Sequence, residues 1–153
     1  MSKINHQPNG YHTVTPYLTL EDAPRFIKFV EHTFGATEYE RVHRNDGRIM
    51  HAEVRIGDSP VMISEACDQM GPMPTSLYLY VDDADSVYRR ALDAGATSVM
   101  EPADMFWGDR FSSVKDTWGN QWSIASHIED VPSDELEKRA RAFATQMAAE
   151  GGK

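Results

Sequence analysis

Apolar positions along the chain follow two periods, 3.6 and 2, and the periods alternate in a fixed order. Asp22-Ala23 is followed by Phe26, Ile27 and Val30, and Asp83-Ala84 by Val87, Tyr88 and Ala91. Counted from each alanine, the apolar residues fall at i, i+3, i+4 and i+7, one face of a helix. Each Asp can cap the free amides of the helix it precedes. Both stretches stop at the same phrase, Gly35-Ala36-Thr37 and Gly95-Ala96-Thr97. Glycine there can take the left-handed conformation that ends a helix. The spacing predicts helices over 23–34 and 84–94.

These stretches belong to a repeat with an offset of about 60 residues. Gly47-Arg48 corresponds to Asp109-Arg110, and Ile56-Gly57-Asp58 to Trp118-Gly119-Asn120, turn signals between strand-like runs. Strands are expected at 14–20, 38–43, 49–56 and 61–65, and again at 76–81, 98–100, 110–115 and 121–126. Each unit therefore reads βαβββ, the first over 12–66 and the second over 76–128. The linker, 67–75, carries Gly71, Pro72 and Pro74. A third helix is expected over 132–150, with Ser133 as its cap and Leu136, Ala140, Phe143 and Met147 as an apolar stripe. The fold class is α+β: two tandem units whose curved mixed sheets surround a cup, plus a C-terminal helix.

Strand residues alternate between faces. Leu77, Leu79 and Val81 oppose Ser76, Tyr78 and Tyr80. Leu18 and Leu20 oppose Thr15, Tyr17 and Thr19; Ala52, Val54 and Ile56 oppose His51, Glu53 and Arg55; Trp122 and Ile124 oppose Gln121, Ser123 and Ala125. One face of each strand suits helix packing. The other carries hydroxyls, rings and a few charges. Such a face can simply be wet, or it can grip a ligand with rings and place a few polar groups. Three tyrosines, 17, 78 and 80, favour the second reading.

The runs that carry these features resemble the vicinal-oxygen-chelate superfamily, also called the glyoxalase, bleomycin-resistance and extradiol dioxygenase fold, and within it the PhnB-like branch. They are Val14 to Leu18, Phe34-Gly35-Ala36, Met50 to Asp58, Val81 to Asp85, Trp107 to Phe111 and Asp116 to His127. The resemblance implies a ligand cup and a homodimer. In metal-dependent members, His and Glu on the first, fourth, fifth and eighth strands hold a divalent cation. Carried over by spacing, those positions are Thr15, a fourth-strand residue for which Glu65 is the available acid, Ser76 and Ser123. Hydroxyls are poor ligands for Zn, Fe or Ni. No metal and no cofactor are expected.

Charge narrows the partners. The chain has 153 residues and a net charge of -9. That balance argues against nucleic acid, whose phosphates need a basic face. No apolar run approaches the ~20 residues that span a bilayer, and the N-terminal residues lack an apolar signal core. A single cysteine, Cys67, excludes an internal disulfide framework. A cytoplasmic protein is expected.

The candidate ligand-binding residues are Tyr17, His51, Glu53, Tyr78, Trp107 and Arg110. The rings would stack on a guest, His51 and Glu53 would orient it, and Arg110 would favour a carboxylate or phenolate. The expected function is metal-free binding of a small aromatic or amphipathic molecule. The alternative is a lyase, isomerase or oxygenase-like enzyme. It would use His51 and Glu53 as an acid–base pair, or an unusual metal site drawn from His12, His51, Glu53 or Glu65.

Overall fold

A computed structural model describes residues 3–151. The order is β1 (Tyr17–Leu20), α1 (Ala23–Phe34), β2 (Thr37–His43), β3 (Ile49–Ile56), β4 (Ser59–Glu65), β5 (Ser76–Tyr80), α2 (Ala84–Asp93), β6 (Thr97–Asp104), β7 (Asp109–Lys115), β8 (Gln121–His127) and α3 (Ser133–Gly151). The strands form two four-stranded sheets, β1-β4-β3-β2 and β5-β8-β7-β6. In each, the first pair is parallel and the other neighbours are antiparallel. This is the duplicated βαβββ architecture.

Local chemistry explains the helix ends. Asp22 and Asp83 accept hydrogen bonds from the amides of Arg25 and Ser86. Gly35, at φ 68°, closes α1 in the left-handed region. Two strand boundaries differ from expectation by three residues or more. β1 starts at Tyr17, because 12–15 turn back on themselves with the Thr15 hydroxyl on the His12 carbonyl at 3.1 Å. β6 runs through to Asp104 rather than ending at 100. Its Pro102 lies in an edge strand, between Met100 and Ala103 where the register shifts, so the missing amide costs no ladder bond.

Both sheets turn their apolar faces to one shared layer made by α1 and α2. Leu18, Ala52, Val54 and Ile63 of the first sheet and Val114, Trp122 and Ile124 of the second are buried in one cluster with Phe26, Val30, Val87 and Ala91. Trp122 joins the units. Its ring lies 4.9 Å from Phe34 and 6.2 Å from Phe26, and its Nε1 donates to Asp116 at 2.8 Å. Arg90 of α2 donates to the Thr33 carbonyl of α1 at 3.1 Å. The polar faces of both sheets consequently point away from the common core.

The third helix stands apart. None of its described residues is buried. Arg139 anchors it to Glu129 at 2.7 Å and to the Phe106 carbonyl at 3.2 Å, and Phe143 meets Phe106 at 5.2 Å. Among the described residues no helix is long and apolar enough to cross a membrane.

Candidate functional site

The outward face of the first sheet collects Tyr17 and Thr19 from β1, Met62 and Ser64 from β4, and His51 and Glu53 from β3. Register places Tyr17 beside Met62 and Met62 beside Glu53. The Tyr17 and His51 rings lie 6.3 Å apart. His51 Nε2 donates to Glu53 Oε1 at 3.0 Å. The other Glu53 oxygen accepts from the Tyr11 hydroxyl, which also meets the Tyr39 hydroxyl at 2.7 Å. Tyr11 belongs to the segment before β1, which crosses this face. Gly10 passes so close to Arg55 that a Cβ would lie 2.7 Å from the guanidinium, and its φ is 83°. Burial pushes the Glu53 carboxyl up, but the hydrogen bonds from His51 and Tyr11 outweigh it and hold it below the ordinary range. Burial and the bond to Glu53 push the Tyr11 phenol well above its usual value.

The second sheet is organised around Asp109. This carboxylate is only 1% exposed. Its Oδ2 accepts from the hydroxyls of Tyr78 at 2.6 Å and Tyr80 at 3.1 Å, and from Trp107 Nε1 at 3.1 Å. Its Oδ1 accepts from His127 Nδ1 at 2.9 Å, while His127 Nε2 donates to Asp130 at 2.7 Å. The rings pack together: Tyr78 lies 5.4 Å from Tyr80 and 5.6 Å from Phe111, and Trp107 lies 5.5 Å from Phe111. Gly108 fixes the Trp107 loop beneath the 128–129 segment. Its carbonyl accepts from the amides of Ile128 and Glu129, its φ is 100°, and a Cβ would fall 2.1 Å from the Glu129 oxygen.

This network sets the protonation states. Burial raises the Asp109 carboxyl, yet the bonds from Tyr78, His127, Tyr80 and Trp107 win and keep it below its ordinary value. Burial and the bond to Asp109 push the Tyr78 phenol up to about 12. The bonds to Asp109 and Asp130 raise the His127 imidazole.

The sequence-derived candidates divide between the two faces. Tyr17, His51 and Glu53 stand on the first, Tyr78 and Trp107 on the second. No hydrogen bond or ring contact joins the two groups among the described residues. Arg110 is on neither. It lies one residue out of phase with Asp109 and Phe111, so it points to the helix side, where Asp85 of α2 takes its Nε at 2.9 Å and its Nη2 at 3.0 Å. Asp104 takes Nη1 at 3.2 Å. This corrects the expectation of a free positive charge at the cup mouth.

Phe111, Asp109, His127 and Tyr11 escape the sequence reading, which places Tyr80 on the ring-bearing face without naming it a ligand contact. Asp109 and His127 meet only because the β7–β8 register pairs them.

The family's metal positions do not fit a cation. Thr15, Ser76 and Ser123 offer hydroxyls. Glu65 faces α1 instead: Oε1 accepts from the Ala23 amide at 3.0 Å and Oε2 from the Ile49 amide at 2.9 Å. The residues of β4 that share the outward face are Met62 and Ser64. His12 bonds the Asp58 carbonyl at 3.1 Å, not His51. Among the described residues, no group of three His, Cys, Asp or Glu converges as a metal site.

Two hollows border the second face. One, of about 370 Å³, is lined by Tyr80, Val81, Asp82, Ser126 and His127. The other, of about 770 Å³, runs along the free edge of β5 toward the β3–β4 turn, with Leu77, Leu79, Ile56 and Phe34 in its walls.

The comparisons with known proteins agree with this fold. The family model of the Glyoxalase/Bleomycin resistance protein/Dioxygenase superfamily matches residues 11–124. An uncharacterized protein of Mycobacterium bovis is 35% identical over 145 residues, covering 88% of this chain and 93% of its own. TioX from Micromonospora sp. ML1 superposes with a TM-score of 0.60 at 26% identity, over 75% of this chain and 99% of that one. The PhnB protein from Bacillus cereus shares the fold, with a TM-score of 0.59 at 15% identity over 75% and 99% of the two chains. This chain is a member of the glyoxalase/bleomycin-resistance/dioxygenase superfamily.

Proposed function

We propose that the protein is a metal-free binding protein of the bleomycin-resistance type, holding a small aromatic or amphipathic molecule against its polar sheet faces. The observation that carries this reading is the ring cluster in which one buried carboxylate fixes Tyr78, Tyr80 and Trp107, with Phe111 packed against them, while the two tyrosines stay open to solvent. Tyr80 is 65% exposed and Tyr78 is 44% exposed. Rings locked in place but left uncovered offer stacking area at little entropic cost on binding. The donor set at Thr15, Ser76 and Ser123 supports the metal-free part.

We read the two separate faces as half-cups. A closed cup that brings Tyr17, His51 and Glu53 against Tyr78 and Trp107 needs two chains. We therefore propose a homodimer, in which the half-exposed stripe of α3, with Phe143 and Met147, is available for the pairing.

An acid–base enzyme is the second reading, favoured by the 3.0 Å contact between His51 and Glu53. It is weaker because Glu53 already accepts from both His51 and Tyr11 and is held ionised. Native mass spectrometry with elemental analysis tests the main reading. The expected result is an aromatic guest bound without stoichiometric metal. One Zn, Fe, Ni or Mn per chain, with function lost on chelation, would overturn it.

A further inference from the structure

The Asp109 cluster says more about its guest than that it is aromatic, and this rests on the binding reading above. The protons of both phenols are spent on one carboxylate oxygen, and the Trp107 indole N–H is shared between that oxygen and the Tyr78 hydroxyl. What the face presents outward is therefore ring surface and phenolic lone pairs, polarised by a neighbouring negative charge. It presents acceptors and no free donor from these three side chains. None of Asp109's donors is a lysine or arginine. His127 is shared between Asp109 and Asp130, so even when protonated it leaves the group with one net negative charge. The adjoining hollow adds Asp82 beside Tyr80 and His127. The one arginine of β7, Arg110, is turned away and neutralised by Asp85 and Asp104.

We infer that this face selects organic cations: a protonated amine or quaternary ammonium carried on a flat apolar body. Aromatic faces attract cations through their quadrupole, and a buried carboxylate behind the rings strengthens that field. An anionic guest would meet the same field as repulsion.

The test uses three probes of one size in calorimetric titrations at neutral pH: N-methylquinolinium, 2-naphthol and 2-naphthoate. The cation should bind about tenfold more tightly than the anion, the scale of a well-placed cation–π contact. Asp109→Asn should collapse that ratio toward one. Tyr80→Leu, at the most exposed ring, should weaken the cation several-fold and keeps the test open if the Asn variant does not fold. Equal or tighter binding of naphthoate would overturn the charge inference and leave the small-molecule reading standing. A preference that survives in folded Asp109→Asn would also overturn it. If none of the three probes binds, both readings fall.

Discussion

The hydroxyl of Tyr78 sits 2.6 Å from the Asp109 carboxylate, across two strand pairings of the second sheet. The contact ties an exposed ring to a buried charge. It lets a tyrosine hold one orientation on a face that solvent would otherwise leave mobile.

The first prediction concerns that proton. Tyr78 should titrate near 12, because burial and the Asp109 bond both disfavour the phenolate. In Asp109→Asn the titration should move down toward the ordinary value of about 10. Carbon-13 labelling of tyrosine rings resolves the residue. An unchanged Tyr78 midpoint in the Asn variant would show that the carboxylate does not govern it.

The same cluster predicts a stability optimum in pH. Asp109 is depressed from 3.8, so its contribution is present above that value and lost as pH falls through the folded value. His127 is raised from 6.5, so its contribution is complete below 6.5 and lost as pH rises through the folded value. Both are present together between about 4 and about 6.5. Melting temperature should fall on the alkaline side of that window, and His127→Gln should flatten the fall. An identical alkaline slope in the variant would remove His127 from the account.

Glu65 should prove structural. Its two oxygens satisfy two buried backbone amides. Glu65→Ala would orphan both, at about 1–3 kcal/mol each. Urea unfolding should register the loss, while ligand affinity in the folded variant stays as it was. A stable Glu65→Ala protein that no longer binds its guest would return Glu65 to the site.

Arg110→Gln should leave ligand binding within about twofold, since its guanidinium is paired on the helix side. A tenfold loss with intact folding would place Arg110 back at the cup. By contrast, Trp122→Ala removes a fully buried ring between the units and should cost about 3–5 kcal/mol.

Much of this was legible in the sequence, for identifiable reasons. The helix caps at Asp22 and Asp83 and the stop at Gly35 are local signals, and the structure has them. The alternation of Tyr78 and Tyr80 against Leu77 and Leu79 also shows directly in the residues. What could not be read was the pairing of strands. Asp109 reaches Tyr78 through β7–β8 and β5–β8 register, and no local pattern encodes that. Arg110 is misplaced in the sequence reading because it is grouped with the Trp107 loop rather than assigned a strand face. Within β7, Arg110 alternates with Asp109 and Phe111 and so shares the helix-side face of Ser112 and Val114. The apolar faces of both units were assigned to helices correctly in kind, but that both pack on one shared layer depends on Trp122 meeting α1.

The central claim is that a small aromatic guest binds on the polar sheet faces without metal. The most direct measurement is a chemical-shift titration of chelator-treated, isotope-labelled protein with N-methylquinolinium and 2-naphthol. The account predicts saturable shifts concentrated at Tyr17, Tyr78, Tyr80, Trp107 and Phe111. Shifts confined to the apolar cleft at Leu77, Leu79 and Phe34, or binding that appears only when a divalent metal is restored, would contradict it.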